Sequence, residues 1–271
     1  MSVDNSKAKT MGAFLKSRRE RLSPEDAGLS YISGQRKTPG LRREEVAILA
    51  GVSVTYYTWL EQGRELTASR EVIESIAKAL RLSPDERLHL FQLWNPHAPN
   101  TPPSAPTVVY PQLQNIIDQL AYPSYITNER TEILAWNEVA SRMLADFASI
   151  PAKDRYFIRL FFEDADVRRR IVNLEPFASY SVAVFRTYYD KHQDDPWFEK
   201  TVKQLMRNSA EFERMWNRYD IQLKKVSRVV LQIPDSDKPV AFDINSLSNL
   251  SDSPDIHICI YTPVTDEDAD G

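Results

Sequence analysis

The chain has 271 residues, 42% of them hydrophobic, which is enough for one or two domains with apolar cores. No apolar run is long enough to span a bilayer, and the single cysteine, Cys259, excludes a disulfide framework within the chain. The expected compartment is therefore a reducing cytoplasm, with no membrane partner. The net charge of −4 is uneven, because residues 1–97 hold 15 basic and 12 acidic residues while the remainder holds 19 and 26. A basic end on an acidic chain indicates that a polyanion binds at that end.

Glycine use argues against an enzyme. Six of the seven glycines lie at or before Gly63, and the last is Gly271. Loops that hold nucleotide phosphates need glycine for close backbone approach, so residues 64–270 do not favour a nucleotide-dependent fold. The four histidines show no metal-ligand spacing, and no nucleophile signature is present. We predict no catalytic residue, no metal and no required cofactor.

The first predicted elements are a helix and a loop. Residues 11–21 have a helical pattern, and its basic side chains are predicted to face outward: Lys16, Arg18, Arg19 and Arg21. Residues 23–40 are rich in helix breakers and contain Arg36. The loop is predicted either to lie along a phosphate backbone or to be a solvated linker.

Residues 43–62 carry the spacing of a helix-turn-helix. Ala47 has no side chain beyond Cβ and allows the two helices to cross closely. Gly51 can take a positive φ, which the tight reversal requires. Ser53 can cap the second helix with its hydroxyl. Apolar residues at the remaining inward positions complete the wedge between the helices: Val46, Ala50, Val52, Tyr57 and Leu60. The pattern predicts DNA binding.

Two more helices and a linker follow. Residues 69–80 have one apolar stripe, and Ser83 with Glu86 forms a capping box for a helix over 84–94. These complete an all-α bundle over residues 1–95. Residues 96–111 are rich in proline and predict a stiff linker.

The second domain is predicted over residues 112–264, followed by an acidic tail at 265–271. It begins with a short helix at 112–121 and a hairpin formed by SYITN and TEILAWN. Helices follow at 138–147, 165–191 and 195–218. The domain ends with three strand-like runs at 225–233, 239–247 and 256–263. This order predicts an α+β, PAS-like domain with a five-stranded antiparallel sheet and helices on one face. Cys259 alternates with isoleucines and is predicted to be a buried strand thiol.

Residues 38–64, TPGLRREEVAILAGVSVTYYTWLEQGR, resemble the Xre-type helix-turn-helix of the MmyB-like transcription regulators. YITNERTEILAWN and SAEFERMW resemble the C-terminal domain of that family. The resemblance implies a one-component regulator whose PAS-like domain holds a fatty acid or a similar apolar acid. Two positions depart from the family pattern: Tyr156 stands where Asn is usual, and residues 227–230 lack the usual His-Pro.

The second helix of a helix-turn-helix enters the major groove, while the first lies across the backbone. The predicted base contacts are Val54, Thr55, Thr58 and Trp59. The predicted phosphate contacts are Arg43, Ser53, Tyr56 and Arg64, with Arg18, Arg19, Arg36 and Arg42 behind them. Because no bidentate Arg, Asn or Gln faces the bases, we expect modest base specificity supported by DNA shape.

Aromatic residues are dense in the second domain and are predicted either to line a ligand site or to form core. The predicted ligand-binding residues are Arg186, Trp136, Asn137, Phe157, Phe161, Tyr180 and Tyr188. The wider aromatic set includes Phe162, Phe177, Phe185, Tyr189, Trp197 and Trp216. Arg186 lies in an apolar run, SVAVFRTYY, and would need an anion, either a ligand carboxylate or an acid of the same domain.

The sequence therefore predicts a dimeric, DNA-binding transcription regulator that reads a double-stranded, roughly palindromic operator. Its second domain is predicted to bind a small apolar ligand that modulates DNA binding. The alternative is a ligand-free dimerisation or protein-interaction module in the same place.

Overall fold

The computed structural model describes residues 4–29, 39–64, 66–94, 111–234, 236–248 and 255–264. Arg36, the acidic tail and all of the predicted linker except Pro111 lie outside these residues. The chain divides into two compact units, residues 1–100 with 189–195 and residues 101–188 with 196–271. Within the described ranges, no helix is long and apolar enough to cross a membrane.

The first unit contains the predicted all-α bundle. Its helices are α1 (Asp4–Arg21), α2 (Arg43–Ala50), α3 (Val54–Glu61), α4 (Arg70–Ala79) and α5 (Pro84–Trp94). Helix α1 packs against α3 and α5, and α2 packs against α3 and α4. The capping box of α5 forms as predicted, because Ser83 Oγ accepts from the Glu86 amide and Glu86 Oε2 accepts from the Ser83 amide. Helix α1 begins before its predicted start at residue 11.

The α2–α3 turn confirms the steric reading of the sequence. Gly51 ends α2 with φ 67°, a conformation that glycine adopts without a Cβ penalty. Ser53 Oγ accepts a hydrogen bond of 3.1 Å from the Tyr56 amide and caps α3. Ala47 and Tyr57 are completely buried between the helices. The turn thereby fixes the direction in which α3 leaves the bundle.

The second unit contains seven α-helices and five strands within the described residues. The helices are α6 (Pro111–Asp118), α7 (Glu138–Met143), α8 (Phe157–Glu163), α9 (Ala165–Arg170), α10 (Leu174–Lys191), α11 (Pro196–Asn208) and α12 (Ala210–Asn217). The strands are β1 (Ser124–Thr127), β2 (Ile133–Trp136), β3 (Ser227–Leu231), β4 (Val240–Leu247) and β5 (His257–Pro263). All neighbouring strands are antiparallel, in the order β2-β1-β5-β4-β3. The five-stranded sheet is as predicted.

The two long helices predicted for this unit are each interrupted. The break between α9 and α10 occurs where the chain pairs with the edge of β3: the Val172 amide donates to Val230 O, and Asn173 Oδ1 accepts from the Val230 amide. The break between α11 and α12 occurs at Ser209, whose hydroxyl accepts from the Phe212 amide as a cap. Hydrogen bonds to the sheet edge therefore end α9, and a local cap begins α12, although the apolar pattern of the sequence continues through both breaks.

Helices contact both faces of the sheet, which corrects the predicted one-sided arrangement. On one face, Ile117 of α6 packs against Ile126 and Ile258 in one apolar cluster. Because successive residues of a strand point to opposite faces, the neighbouring Tyr125 and Cys259 point to the other face. Helices α8 and α10 enclose a cavity on that face.

Candidate functional site

The exposed surface of α3 presents the predicted base-contact residues together. Val54 is 39% exposed and Trp59 is 37% exposed, large values for apolar side chains. Thr55 is also exposed, and Thr58 is half-buried beside them. Methyl groups and hydroxyls of this kind can contact thymine methyls and base edges in a major groove. The helix thus offers an apolar and hydroxyl-bearing surface without a bidentate side chain.

Three arginines lie at the outer ends of α2 and α3. The guanidinium carbon of Arg64 lies 5.3 Å from the centre of the Trp59 ring, so the two side chains form one cation–π pair. Arg42, which precedes α2, and Arg43, its first residue, are both exposed. Arg43 also donates to Glu61 Oε1 at 2.9 Å. Cations therefore lie at the start of α2 and beyond the end of α3.

Arg19 was predicted to contact a phosphate, and the structure corrects this. Its side chain is buried, and Nε and Nη2 donate to the two carboxylate oxygens of Glu61 at 2.6 and 2.9 Å. Nη1 donates to Leu41 O. Arg18, predicted to face outward, is also buried and pairs with Glu86. These two arginines stabilise the bundle and do not reach a phosphate.

Burial raises the pKa of Glu61, but the hydrogen bonds and charge of Arg19, with a further contribution from Arg43, outweigh it and hold the pKa below its ordinary value. Glu61 therefore stays ionised at neutral pH.

The remaining predicted phosphate contacts differ in whether their side chains are available to DNA. Ser53 is exposed at the start of α3, with a hydroxyl that still has its own proton to donate. The Tyr56 hydroxyl instead donates to Thr67 O at 3.2 Å, so its one proton is already used. Arg36 lies outside the described residues.

A cavity, here named the chamber, lies over one face of the sheet in the second unit. Tyr125, Cys259 and Ser246 are register partners on three neighbouring strands and form one row of its floor. Ser227 and Ile244 form a second row on β3 and β4. Strand register brings these floor residues together, so no single segment of the sequence could predict the floor.

Aromatic residues of α8 and α10 form the roof of the chamber. The lining residues from these helices are Phe157, Ile158, Phe161, Phe177, Tyr180, Ser181, Val184, Phe185 and Tyr188. The chamber has a volume of about 90 Å³, whereas roughly 10–15 Å³ on the same measure admits one water. It therefore has room for a small molecule within a mainly apolar wall.

The charged residues of the chamber wall are both cationic. Lys224 and Lys225, between α12 and β3, line it, and no carboxylate is among its described lining residues. The Tyr180 hydroxyl accepts from the Lys225 amide at 2.9 Å and donates to Lys225 O at 3.0 Å. This pair of bonds fixes the backbone that carries both lysines. A mainly apolar wall that also contains two lysines suits an anion with an apolar body.

Two tyrosines of the chamber, Tyr125 and Tyr188, remain neutral. Burial raises the pKa of Tyr125 well above its ordinary value, and burial raises the pKa of Tyr188 in the same way. Neither phenol ionises near neutral pH. These two phenols therefore add no negative charge to the wall.

Four of the seven predicted ligand residues line the chamber: Phe157, Phe161, Tyr180 and Tyr188. Arg186 does not. Its guanidinium carbon lies 3.6 Å from the Trp216 ring centre and 3.9 Å from that of Tyr219, and Nη2 donates to Trp216 O. This sandwich of aromatic rings gives the buried cation a structural role, which corrects its predicted role as the ligand anchor.

Trp136 and Asn137 also lie away from the chamber lining. Trp136 packs on Phe147 and on the Arg155 guanidinium. Asn137 caps α7 by accepting from the Ala140 amide, and its Nδ2 donates to the carbonyls of Ile117, Leu120 and Tyr122. Trp136 thus packs the hairpin against the segment after α7, and Asn137 bonds it to α6 and α7, so their predicted ligand role is replaced by a structural one.

The sequence prediction missed Tyr125, Ser246, Lys224 and Lys225 as wall residues. Tyr125 lies in the first strand of the predicted hairpin, and the two lysines lie at or directly before the start of the first of the three strand-like runs, at 225–233. No pattern in the sequence shows which strand face holds a cavity.

Comparison with known protein families agrees with this division of the chain. A family described as a helix-turn-helix domain matches residues 10–90. A family described as the MmyB-like transcription regulator ligand binding domain matches residues 109–270. No curated protein matches the chain.

Proposed function

Because the chain belongs to the MmyB-like transcription regulators, we propose that it binds a DNA operator through α3 and changes its affinity for DNA when a small apolar acid occupies the chamber. Its two matched domains make the protein a DNA-binding transcription regulator with a ligand-binding domain. The observation that carries the proposed ligand control is the apolar chamber with two lysines in its wall, inside the domain that matches the ligand-binding family.

The DNA-binding half of the proposal rests on the exposed α3 surface. Val54, Thr55 and Trp59 would contact base edges, and Arg43 and Arg64 would contact phosphates on either side. The absence of bidentate side chains from the α3 base-contact set favours readout of thymine methyls and DNA shape. Two copies of this surface in a homodimer would read a roughly palindromic operator. DNA as the partner implies a cytoplasmic location.

The ligand half rests on the chemistry of the chamber wall. Phenylalanine rings from α8 and α10 would hold an apolar body, and the Lys224 ammonium would hold a carboxylate. No ion pair or side-chain hydrogen bond of Lys224 occurs among the described residues. An acid could therefore bind there without displacing an existing carboxylate. A fatty acid of matching size is one ligand of this class.

Native mass spectrometry of the full-length protein tests the ligand half, with denaturation to release and identify what is bound. We expect a dimer that carries a small apolar acid. Ser181→Phe should fill the chamber, because Ser181 lines it, and should abolish the bound mass. Ser179→Phe is the matched control, since Ser179 is on the same helix but not in the chamber wall. Equal occupancy in both variants would place the ligand elsewhere.

Selection of binding sequences from a random duplex pool tests the DNA half. We expect the full-length protein to enrich a two-fold symmetric site, and Thr55→Ala to weaken binding to that site roughly tenfold through one lost base contact. Binding to unrelated duplex should be unchanged, because phosphate contacts dominate it. Enrichment of no sequence would contradict operator binding.

A further inference from the structure

A second cavity adjoins the chamber and shares part of its wall. It has a volume of about 20 Å³ and is lined mainly by apolar residues of α9, β3 and neighbouring segments, among them Leu144, Val167, Ile171 and Leu231. Three phenylalanines line both cavities: Phe157, Phe161 and Phe177. They form a partition between the two spaces.

The partition is a connected set of rings. The ring centres of Phe157 and Phe161 are 5.4 Å apart, and those of Phe161 and Phe177 are 5.2 Å apart. All three side chains are buried. Phenylalanine rings form no strong hydrogen bonds, so only packing holds them in place. A smaller side chain at one of these positions would join the second cavity to the chamber.

We propose that this partition sets the length of the acid that the chamber accepts. The inference rests on the proposed function, because the chamber must be the ligand site. An acid with its carboxylate at Lys224 would extend its apolar body along the roof until it meets the partition. The chamber admits about six to nine water-sized atoms. The preferred ligand is therefore a compact or medium-chain carboxylic acid, and a longer chain fits only if the partition opens.

Straight-chain carboxylates provide a direct measure of this length. Burial of each additional methylene should tighten binding about fourfold while room remains. Beyond the partition, each further methylene stays outside the chamber and the affinity stops rising. The chain length at which the affinity levels off is thus a property of the partition, and for the wild type we expect it near heptanoate, whose non-hydrogen atoms fill the chamber.

The experiment is isothermal titration calorimetry of the full-length protein with the series from butanoate to tetradecanoate. Phe161→Leu and Phe177→Leu shorten one partition side chain each, and having two variants covers the failure of either to fold. Phe162→Leu is the matched control. Phe162 neighbours Phe161 on α8 and is also buried, but it packs on Phe212 and lines neither cavity.

We expect both partition variants to level off at a longer acid than the wild type, with the longest acids gaining at least fourfold over their wild-type affinity. Phe162→Leu should level off where the wild type does. If binding levels off at the same length in every protein, the partition does not set the accepted length, although the chamber remains the ligand site. Wild-type protein that binds no acid of any length would instead overturn the proposed ligand function itself.

Discussion

The Glu61 carboxylate accepts two hydrogen bonds from the Arg19 guanidinium and joins the end of α3 to α1. Both side chains are buried. A buried ion pair is sensitive to the loss of one partner, because the other charge is then left without compensation in a poorly solvated place. The orientation of the predicted recognition helix therefore depends on a charge pair that does not itself reach DNA.

Replacing Glu61 should destabilise the first unit. We expect Glu61→Gln to lower its free energy of unfolding by about 3 kcal/mol, because Arg19 loses its counter-charge. Glu44→Gln is the control, since Glu44 is exposed on α2, and should change stability by less than about 0.5 kcal/mol. Amide hydrogen exchange of peptides from α1 and α3 measures this free energy. Similar protection in the two variants would argue against a stabilising role for the pair.

The same pair predicts how stability depends on pH. The pKa of Glu61 is lower in the folded protein than its ordinary value of 4.5, so the unfolded chain binds the proton more tightly than the folded one. The stabilisation is complete above the ordinary pKa and is lost as the pH falls through the folded pKa. As the pH falls from neutral to below the ordinary pKa, the wild type should lose more stability than Glu61→Gln. Parallel pH profiles in hydrogen exchange would count against this coupling.

Local steric rules explain why the helix-turn-helix could be predicted. Gly51 and Ser53 act within a few residues of their own positions, so the sequence contains the whole cause of the turn. Arg19 shows the opposite case. A basic residue on an amphipathic helix reads as solvent-exposed, and only the tertiary approach of Glu61 makes its burial favourable. Charge patterns indicate where cations are, but not which of them are already paired.

Arg64 should contribute to DNA affinity through phosphate contact. We expect Arg64→Ala to weaken binding to the selected duplex and to make the dependence of log K on log salt shallower by about 0.9 per contact. Lys78→Ala removes an exposed cation from α4, outside the predicted interface, and should leave both quantities unchanged. Fluorescence anisotropy over a salt series gives both values. An unchanged salt slope in Arg64→Ala would remove this residue from the phosphate set.

Asn137 should be required for stability and not for ligand binding. In Asn137→Asp the side chain can still cap α7, but it can no longer donate to the carbonyls of Ile117, Leu120 and Tyr122. We expect a loss of about 2–3 kcal/mol from these unpaired buried groups. Asn115→Asp, at an exposed position of α6, should be nearly neutral. Urea unfolding measures both effects.

Titration with octanoate completes this comparison. Below the transition, folded Asn137→Asp should bind octanoate as the wild type does. Weakened binding at wild-type stability would restore the ligand role first predicted for this residue.

The chamber could be predicted only in part, because its wall comes from distant segments. Phe161 and Tyr188 stood out as aromatic residues on apolar helices, and both line it. Arg186 stood out as a cation within an apolar run, but the Trp216 and Tyr219 rings enclose its guanidinium away from the chamber. The sequence shows which residues need burial. Strand register and helix packing decide which of them surround a cavity and which fill one.

The central claim is that an acid in the chamber changes DNA binding. Its most direct test is the dissociation constant of the full-length protein for its selected duplex, measured with and without saturating octanoate. We predict a change of roughly fivefold or more in the wild type and in Ser179→Phe, and no change in Ser181→Phe. Because such coupling is reciprocal, the affinity for octanoate should change by the same factor when DNA is present. If octanoate binds in the chamber but the dissociation constant for DNA stays the same, the account of a ligand-controlled regulator is contradicted.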